Sequence, residues 1–418
     1  MQAVSKKNLD NQFPLSALGQ IFKALQQEKD ACDPAVLMVG GCVRNMILSM
    51  PITDIDIATI WTPDEVQKKL ERENIKVIPT GVDHGTVTAV IKNTNFEITT
   101  LRIDNECDGR HAAVSYGVSW LEDARRRDFT MNALYMDLEG QIYDPLTTGV
   151  NDTKEHNVRF VGNAAQRITE DALRILRFFR FFAYYGQGAP DKDALKACED
   201  HASLLTDLSK ERITQEMLKI LQADLAANVL GIMRKYNVLK YVFDDIGYDM
   251  SAGFTALERL GALQLRYDLM SAAARIAVLC PARDNIDAFS QSILLSNKMK
   301  KEILSIQDSM SYLPKSDLSD KTLRACCYYH GRSPAIQGYL VHSAMPDNAM
   351  AQSENHIKEK IEMLRDMKIP DFPITGEDLI ANGFAQGPAL GQELRRIEKW
   401  WVAQDFRPDR DECLSMLE

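Results

Sequence analysis

The chain has 418 residues, more than one hydrophobic core usually holds, so two to four domains are expected. Hydrophobic residues make up 45% and charged residues 26%, the balance of an ordinary globular protein, and no apolar run approaches the roughly 20 residues that cross a bilayer. The formal net charge of −10 argues against a nonspecific coat on nucleic acid, yet it leaves room for local basic stripes such as Arg125-Arg126-Arg127. Lys6 and Lys7 are followed by polar residues without the apolar stretch of a signal peptide. The eight cysteines show no C-x-x-C spacing, which points to reduced thiols, not to a disulfide framework or a zinc site. A soluble, cytoplasmic protein with no membrane partner is expected.

In chain order, residues 11–29 predict an amphipathic helix, and the apolar run Ala35 to Val39 predicts a buried strand. Gly40 and Gly41 then let the backbone turn sharply and approach a phosphate with no Cβ in the way. Arg44 begins a short helix. Ile52 to Ile57 alternates as a strand does, with Asp54 and Asp56 on one face and isoleucines on the other. Two carboxylates on one strand suit a divalent cation bound by hard oxygen donors. A phosphate cradle beside such a pair is the apparatus of metal-assisted phosphoryl or nucleotidyl transfer. Each motif alone is common; their order and spacing carry the argument.

Pro63 to Glu73 reads as a helix opened by Thr62 as N-cap. Val77-Ile78, Thr86 to Lys92 and Phe96 to Arg102 are β-rich, with Asn93-Thr94-Asn95 as a hairpin turn. Phe96, Ile98 and Thr100 face one way and Glu97 the other, so Glu97 is either a third carboxylate or a solvated strand residue. Asp104 to Gly117 is polar and aperiodic, which predicts a flexible loop. Leu121 to Met136 contains Arg126-Arg127-Asp128-Phe129-Thr130-Met131-Asn132-Ala133. Its adjacent arginines suit the oxygens of a triphosphate, or else they end a solvated helix and pair with Glu122 and Asp123. From about residue 164 strand signals nearly vanish, so a small α/β head precedes a long helical remainder.

Glu170-Asp171-Ala172-Leu173-Arg174-Ile175-Leu176-Arg177-Phe178-Phe179-Arg180 is strongly helical, with Thr169 as the expected N-cap. Asp171 and Arg174, three apart, project as neighbours. Cytosine and adenine both present an amino donor beside a ring-nitrogen acceptor. A carboxylate and a guanidinium would satisfy both, while uracil and guanine would leave buried groups unpaired. One Asp–Arg pair could therefore choose C and A without a template. The plainer alternative is an i,i+3 ion pair on a solvated helix.

G-G-x-V-R, D-I-D-I, H-G-T, F-E-I-T-T-L-R, R-R-D-F-T-M-N-A and E-D-A-L-R-I-L-R-F-F-R-F occur in the order seen in class II tRNA nucleotidyltransferases. The chain resembles these CCA-adding enzymes, kin of bacterial poly(A) polymerases, densely over residues 35 to about 220, where Glu211-Arg212-Ile213-Thr214-Gln215-Glu216 looks like the last neck motif. The resemblance implies an α+β fold: a polymerase-beta-type head over 1–163, then an all-α neck over 164–225, body over 226–365 and tail over 366–418. It implies magnesium on Asp54 and Asp56, with Glu97 as the supporting carboxylate. The nucleotide would be met by Gly40, Gly41, Arg44, Arg127, Asp128, Asn132, Glu170, Asp171, Arg174, Arg177 and Arg180. Asp108 to Ala112, with Arg110 and His111, resembles the flexible segment that helps switch from C to A addition. Asn45 departs from the family, which usually has aspartate there.

The expected activity is addition of C and A to the 3′ end of tRNA from CTP and ATP. The alternatives are a poly(A) polymerase, an enzyme adding only part of CCA, or a noncatalytic RNA-binding protein. In the tail, Gly387-Pro388-x-x-Gly391 precedes a helix predicted from Gln392 to Val402, whose Arg395, Arg396 and Lys399 would meet RNA phosphate. Trp400 and Trp401 are read as packing residues.

Overall fold

The computed structural model describes residues 2–3, 13–26, 34–81, 85–107, 112–243, 250–280, 282–314, 318–346 and 354–417. They form two compact units, Met1–Glu216 with Ile232–Val242, and Met217–Gly231 with Phe243–Glu418.

The strands of the first unit are β1 (Gln2–Ala3), β2 (Val36–Val39), β3 (Asp56–Thr59), β4 (Lys76–Gly81), β5 (Thr86–Ile91), β6 (Thr94–Thr100), β7 (Arg102–Cys107), β8 (Ala112–Tyr116), β9 (Tyr135–Met136) and β10 (Gln141–Tyr143). Eight of them make one sheet in the order β1-β10-β9-β2-β3-β6-β5-β4. Within it β3 and β6 run parallel and the other neighbours antiparallel. β2 is buried on both faces, as its unbroken apolar run implies. Val36 and Met38 join a core with α1 (Leu15–Gln26), while Leu37 and Val39 join a second core with Tyr135. After β2 come α2 (Gly41–Ile47) and α3 (Pro63–Arg72). Thr62 caps α3 as expected, in a capping box with Glu65.

Three sequence expectations need correction here. β3 starts only at Asp56, because its partner strand β2 ends opposite it at Val39; Asp54 therefore precedes the strand. The β5–β6 turn is Lys92-Asn93, at φ 48° and 65°, one residue before the expected position. Asp104 to Gly117 is no loop throughout, since β7 and β8 pair antiparallel as a separate ribbon. Main-chain pairing needs no apolar alternation, so a polar ribbon gives no periodic signal.

Next come α4 (Trp120–Arg125) and α5 (Gly149–Lys154). Gly149 opens α5 against a neighbouring main chain: a Cβ there would lie 2.5 Å from the Thr130 carbonyl oxygen. Among the described residues, every named element after β10 is helical. The stretch expected as one helix from Thr169 is two, α6 (Ala164–Glu170) and α7 (Leu173–Tyr185). Asn163, not Thr169, caps α6 by accepting from the Gln166 N–H at 2.9 Å. Asp171 is extended, at φ −154° and ψ 107°, and accepts from the Leu173 N–H at 3.1 Å. This local side-chain bond competes with a continuous helix and starts the second one. α8 (Lys192–Asp200) and α9 (Lys210–Gln222) follow.

The second unit is helical in its described residues. Arg275, fully buried, donates to the Leu221 carbonyl at 2.8 Å and to Gln264 Oε1 at 2.8 Å. The C-terminal core gathers Ile374, Leu379, Ile397, Trp401, Val402 and Cys413. Trp401 is a packing residue, 2% exposed, with Trp400 partly buried against the same cluster. The last long helix runs from Pro388 to Ala403, four residues earlier than predicted, because proline suits its first turn. Arg395 and Lys399 are exposed on it, whereas Arg396 is tied to Glu393.

Candidate active site

The site is assembled wholly within the first unit, around the turn that follows β2. Gly40 has φ 74°, which favours glycine, and its N–H is fixed by the Leu134 carbonyl at 2.9 Å. A Cβ on Gly40 would meet Arg127 Nη1 at 3.6 Å, and one on Gly41 would meet Arg44 Nη2 at 3.6 Å. Two guanidiniums thus flank the glycine pair, the arrangement an anion requires. Arg44 lies on the fourth residue of α2, and Gly41, not Arg44, begins that helix.

Arg44 is buried, and each of its nitrogens has a partner. It donates to Asn45 Oδ1 from Nε at 3.1 Å and from Nη2 at 2.9 Å, to the Tyr185 hydroxyl at 2.7 Å, and to Asn132 Oδ1. Asn132 in turn donates to Asp128 Oδ1 at 3.0 Å, and Asp128 Oδ2 accepts from Arg177 Nε at 2.8 Å. A continuous chain of hydrogen bonds therefore runs from the glycine turn to α7. Arg127 is held by Asp123 at 3.0 Å and by the Tyr135 hydroxyl at 3.3 Å, and Arg126 pairs with the same Asp123. The ion-pair reading of these arginines is therefore right for Asp123. Glu122 is engaged elsewhere, in a capping box with Ser119.

Asp56 stands opposite Val39 on one side and Glu97 on the other, in strand register. Phe96, Ile98 and Thr100 are buried and Glu97 exposed, so Glu97 does face away from them. Burial pushes the Asp56 carboxyl up, and Glu97 and Asp54 push it further against the pull of Arg127. Such an excess of negative charge is what a bound cation relieves. Among the described residues no group of three His, Cys, Asp or Glu side chains forms a ready metal cage. One or two carboxylates plus water and substrate oxygens is the usual provision for magnesium. The donor set fits.

Asp171 and Arg174 are near in sequence but do not pair. Arg212 Nη2 donates to both oxygens of Asp171, at 3.1 and 2.9 Å. Arg174 donates to Glu170 Oε2 at 2.6 Å and to the Arg167 carbonyl at 2.8 Å. Each has another partner instead: Asp171, extended between α6 and α7, is taken by Arg212, and Arg174 reaches back across the break to Glu170. Arg180 pairs with Glu216 at 3.2 Å. Arg110 and His111 lie outside the described residues.

The family model described as Poly A polymerase head domain matches residues 36–159, and one for tRNA nucleotidyltransferase domain 2 matches residues 271–415. The chain is 32% identical over 390 residues to the mouse (Mus musculus) CCA tRNA nucleotidyltransferase 1, mitochondrial, spanning 91% of this chain and 86% of that protein. It is also 32% identical over 379 residues to the CCA-adding enzyme of Latilactobacillus sakei, spanning 90% and 91%. It belongs to the CCA-adding tRNA nucleotidyltransferase family. The crystal structure of the Bacillus stearothermophilus CCA-adding enzyme in complex with CTP superposes with a TM-score of 0.73 at 28% identity, covering 94% of each chain. The Thermotoga maritima CCA-adding enzyme complexed with tRNA shares the fold at a TM-score of 0.68 and 20% identity, covering 99% of this chain and 98% of that one.

Of the residues that hold this CCA-adding fold's site together, Tyr185 escaped the sequence reading, Arg212 and Glu216 entered it only within a neck motif, and Asp123 only as an ion-pair alternative. Tyr185 follows Phe181 by four and Arg177 by eight, a helical spacing that places it on their face. Arg212 and Glu216, four apart on α9, likewise share a face and receive Asp171 and Arg180. Asp123 is the most demanding of these. Burial pushes its carboxyl up, but Arg127, Arg126 and the Tyr135 hydroxyl outweigh that and hold it at about 2, below the ordinary 3.8. A folded-state value below the unfolded one stabilises above the unfolded value and is lost as pH falls through the folded one. Asp123→Asn is therefore expected to cost about 2 kcal/mol at neutral pH. In urea unfolding the gap to wild type should shrink between about pH 4 and pH 2. A gap that stays constant with pH would refute the assignment.

Proposed function

We propose that this protein adds C and A to the 3′ end of tRNA, using CTP and ATP and releasing pyrophosphate, with no nucleic-acid template. The observation that carries this reading is the hydrogen-bond chain from Arg44 through Asn132 and Asp128 to Arg177. It ties the anion-binding turn to the helix that bears Arg174. Gly40, Gly41, Arg44 and Arg127 hold the triphosphate. Asp171 accepts from the base amino group and Arg174 donates to the ring nitrogen, with Glu170, Arg177 and Arg180 holding the helix surface around them. Asp54 and Asp56 would hold magnesium, with Glu97 beside them. A magnesium ion held there would supply Lewis-acid chemistry, acidifying the terminal 3′-hydroxyl and offsetting the charge of the triphosphate.

We divide the chain by function into head (1–163), neck (164–225), body (226–365) and tail (366–418), with the tail holding the body of the tRNA through Arg395 and Lys399. Among the described residues no helix is long and apolar enough to cross a membrane. The buried free cysteines, among them Cys42, Cys326 and Cys327, support a reducing, cytoplasmic setting.

A poly(A) polymerase is the second reading, favoured by the description of the head that residues 36–159 match. Incubation with tRNAs ending before CCA, after C and after CC, each with CTP or ATP alone, separates the two. Two additions of C, then a single A and arrest, are expected. A run of A residues would favour the poly(A) reading, a product missing either base would favour partial addition, and no incorporation would overturn both enzymatic readings.

A further inference from the structure

Arg44 differs from the other arginines of the site in what neutralises it. Asp123, Asp128, Glu170, Asp171 and Glu216 each take up one or two of the others. Arg44 is only 6% exposed, yet its partners are neutral: two asparagine oxygens, a tyrosine hydroxyl, and the Tyr185 ring 4.0 Å from its guanidinium carbon. Among the described residues no carboxylate forms an ion pair with it. Burial accordingly disfavours its charged form. Asp128, one hydrogen bond away through Asn132, favours the charge but is itself paired with Arg177. A desolvated cation with no carboxylate in direct contact draws an anion, and this one sits beside the glycine turn.

Asn45 sets this up through both ends of its amide. Its Oδ1 accepts twice from Arg44, and its Nδ2 donates to the Pro51 carbonyl at 2.7 Å. A carboxylate here would also accept from Arg44, but it would cancel the charge and turn an oxygen towards the Pro51 oxygen. We infer that Asn45 is a positioning residue that fixes the Arg44 guanidinium while leaving its charge uncancelled, so that the triphosphate of the incoming nucleotide supplies the counter-charge. This rests on the nucleotidyl-transfer reading above.

The test is calorimetric titration of CTP and of inorganic tripolyphosphate, with magnesium present, into wild type, Asn45→Asp and Asn45→Ser. The Asp variant should bind both probes about tenfold more weakly, the effect of one nearby charge at a partly screened site. Its KM for CTP and ATP should rise by the same factor, while its KM for tRNA is unchanged. The Ser variant adds no charge but loses the two bonds to Arg44. It should keep tripolyphosphate affinity within about twofold and lose kcat instead. Tripolyphosphate binding by the Asp variant at wild-type strength or better overturns the inference. Should the Asp variant not fold, a tenfold loss of tripolyphosphate affinity in the Ser variant overturns it too, because shape and not charge would then set affinity. If wild type binds neither probe, the nucleotidyl-transfer reading itself falls, and the inference with it.

Discussion

Asp54→Ala or Asp56→Ala is expected to remove incorporation of both C and A, by on the order of 10³-fold or more, the scale for losing a principal electrostatic contact in a transition state. The loss should strike both bases equally, because in the proposed reaction these carboxylates serve the triphosphate and the attacking hydroxyl and do not meet the base. Affinity for tRNA should stay within about threefold, since it is spread over many phosphate contacts. The two positions should differ in one respect. Asp56 is the carboxyl that burial and Glu97 push up, so its removal relieves a cost that the folded protein bears. The thermal midpoint of Asp56→Ala should therefore equal or exceed that of wild type, while exposed Asp54 leaves it unchanged. Single-turnover extension of end-labelled tRNA, paired with filter binding, reads both quantities. Near-normal turnover of either variant with magnesium would sink the metal assignment.

Asp171→Ala and Arg174→Ala should each weaken use of CTP and ATP and narrow their advantage over UTP and GTP. A site built to accept from an amino group and donate to a ring nitrogen rejects the opposite pattern by about 10⁴-fold. Removing one half of the pair should surrender most of that factor. Arg212 holds Asp171 and Glu170 holds Arg174, so the base must compete for both groups. The variants should therefore lose selectivity more than they lose the ability to bind triphosphate. Incorporation assays with each of the four nucleotides decide the matter. An unchanged preference profile in both variants would reduce the two residues to structural ion-pair partners.

Much of this site could be read from local sequence, and what could not has a common cause. The β2 strand, the glycine turn, the cap of α3 and the outward direction of Glu97 depend on residues within a few positions of each other. Trp401 was legible as a packing residue for the same reason. The start of β3 was not, because it is decided by where a different strand stops. Nor was the break before α7, since Asp171 is as acceptable at a helix start as inside one until its side chain takes the Leu173 N–H. Counter-charges were the least legible. Arg126 and Arg127 find a local carboxylate in Asp123, but Arg177 finds Asp128, 49 positions away, and Arg180 and Arg212 likewise pair at long range. That Arg44 finds none among the described residues is a property of the folded molecule.

Gly149 shows how far the proposed nucleotide site extends behind its own surface. Its backbone lies outside the left-handed region, so what matters there is room. The obstacle 2.5 Å from a Cβ is the Thr130 carbonyl, which is main chain and cannot swing aside as a side chain could. Two residues on, Asn132 reaches Arg44. A single methyl at position 149 would act as a wedge beneath that segment, and alanine, the gentlest replacement at most positions, becomes here a lever on the proposed triphosphate cradle from its hidden side.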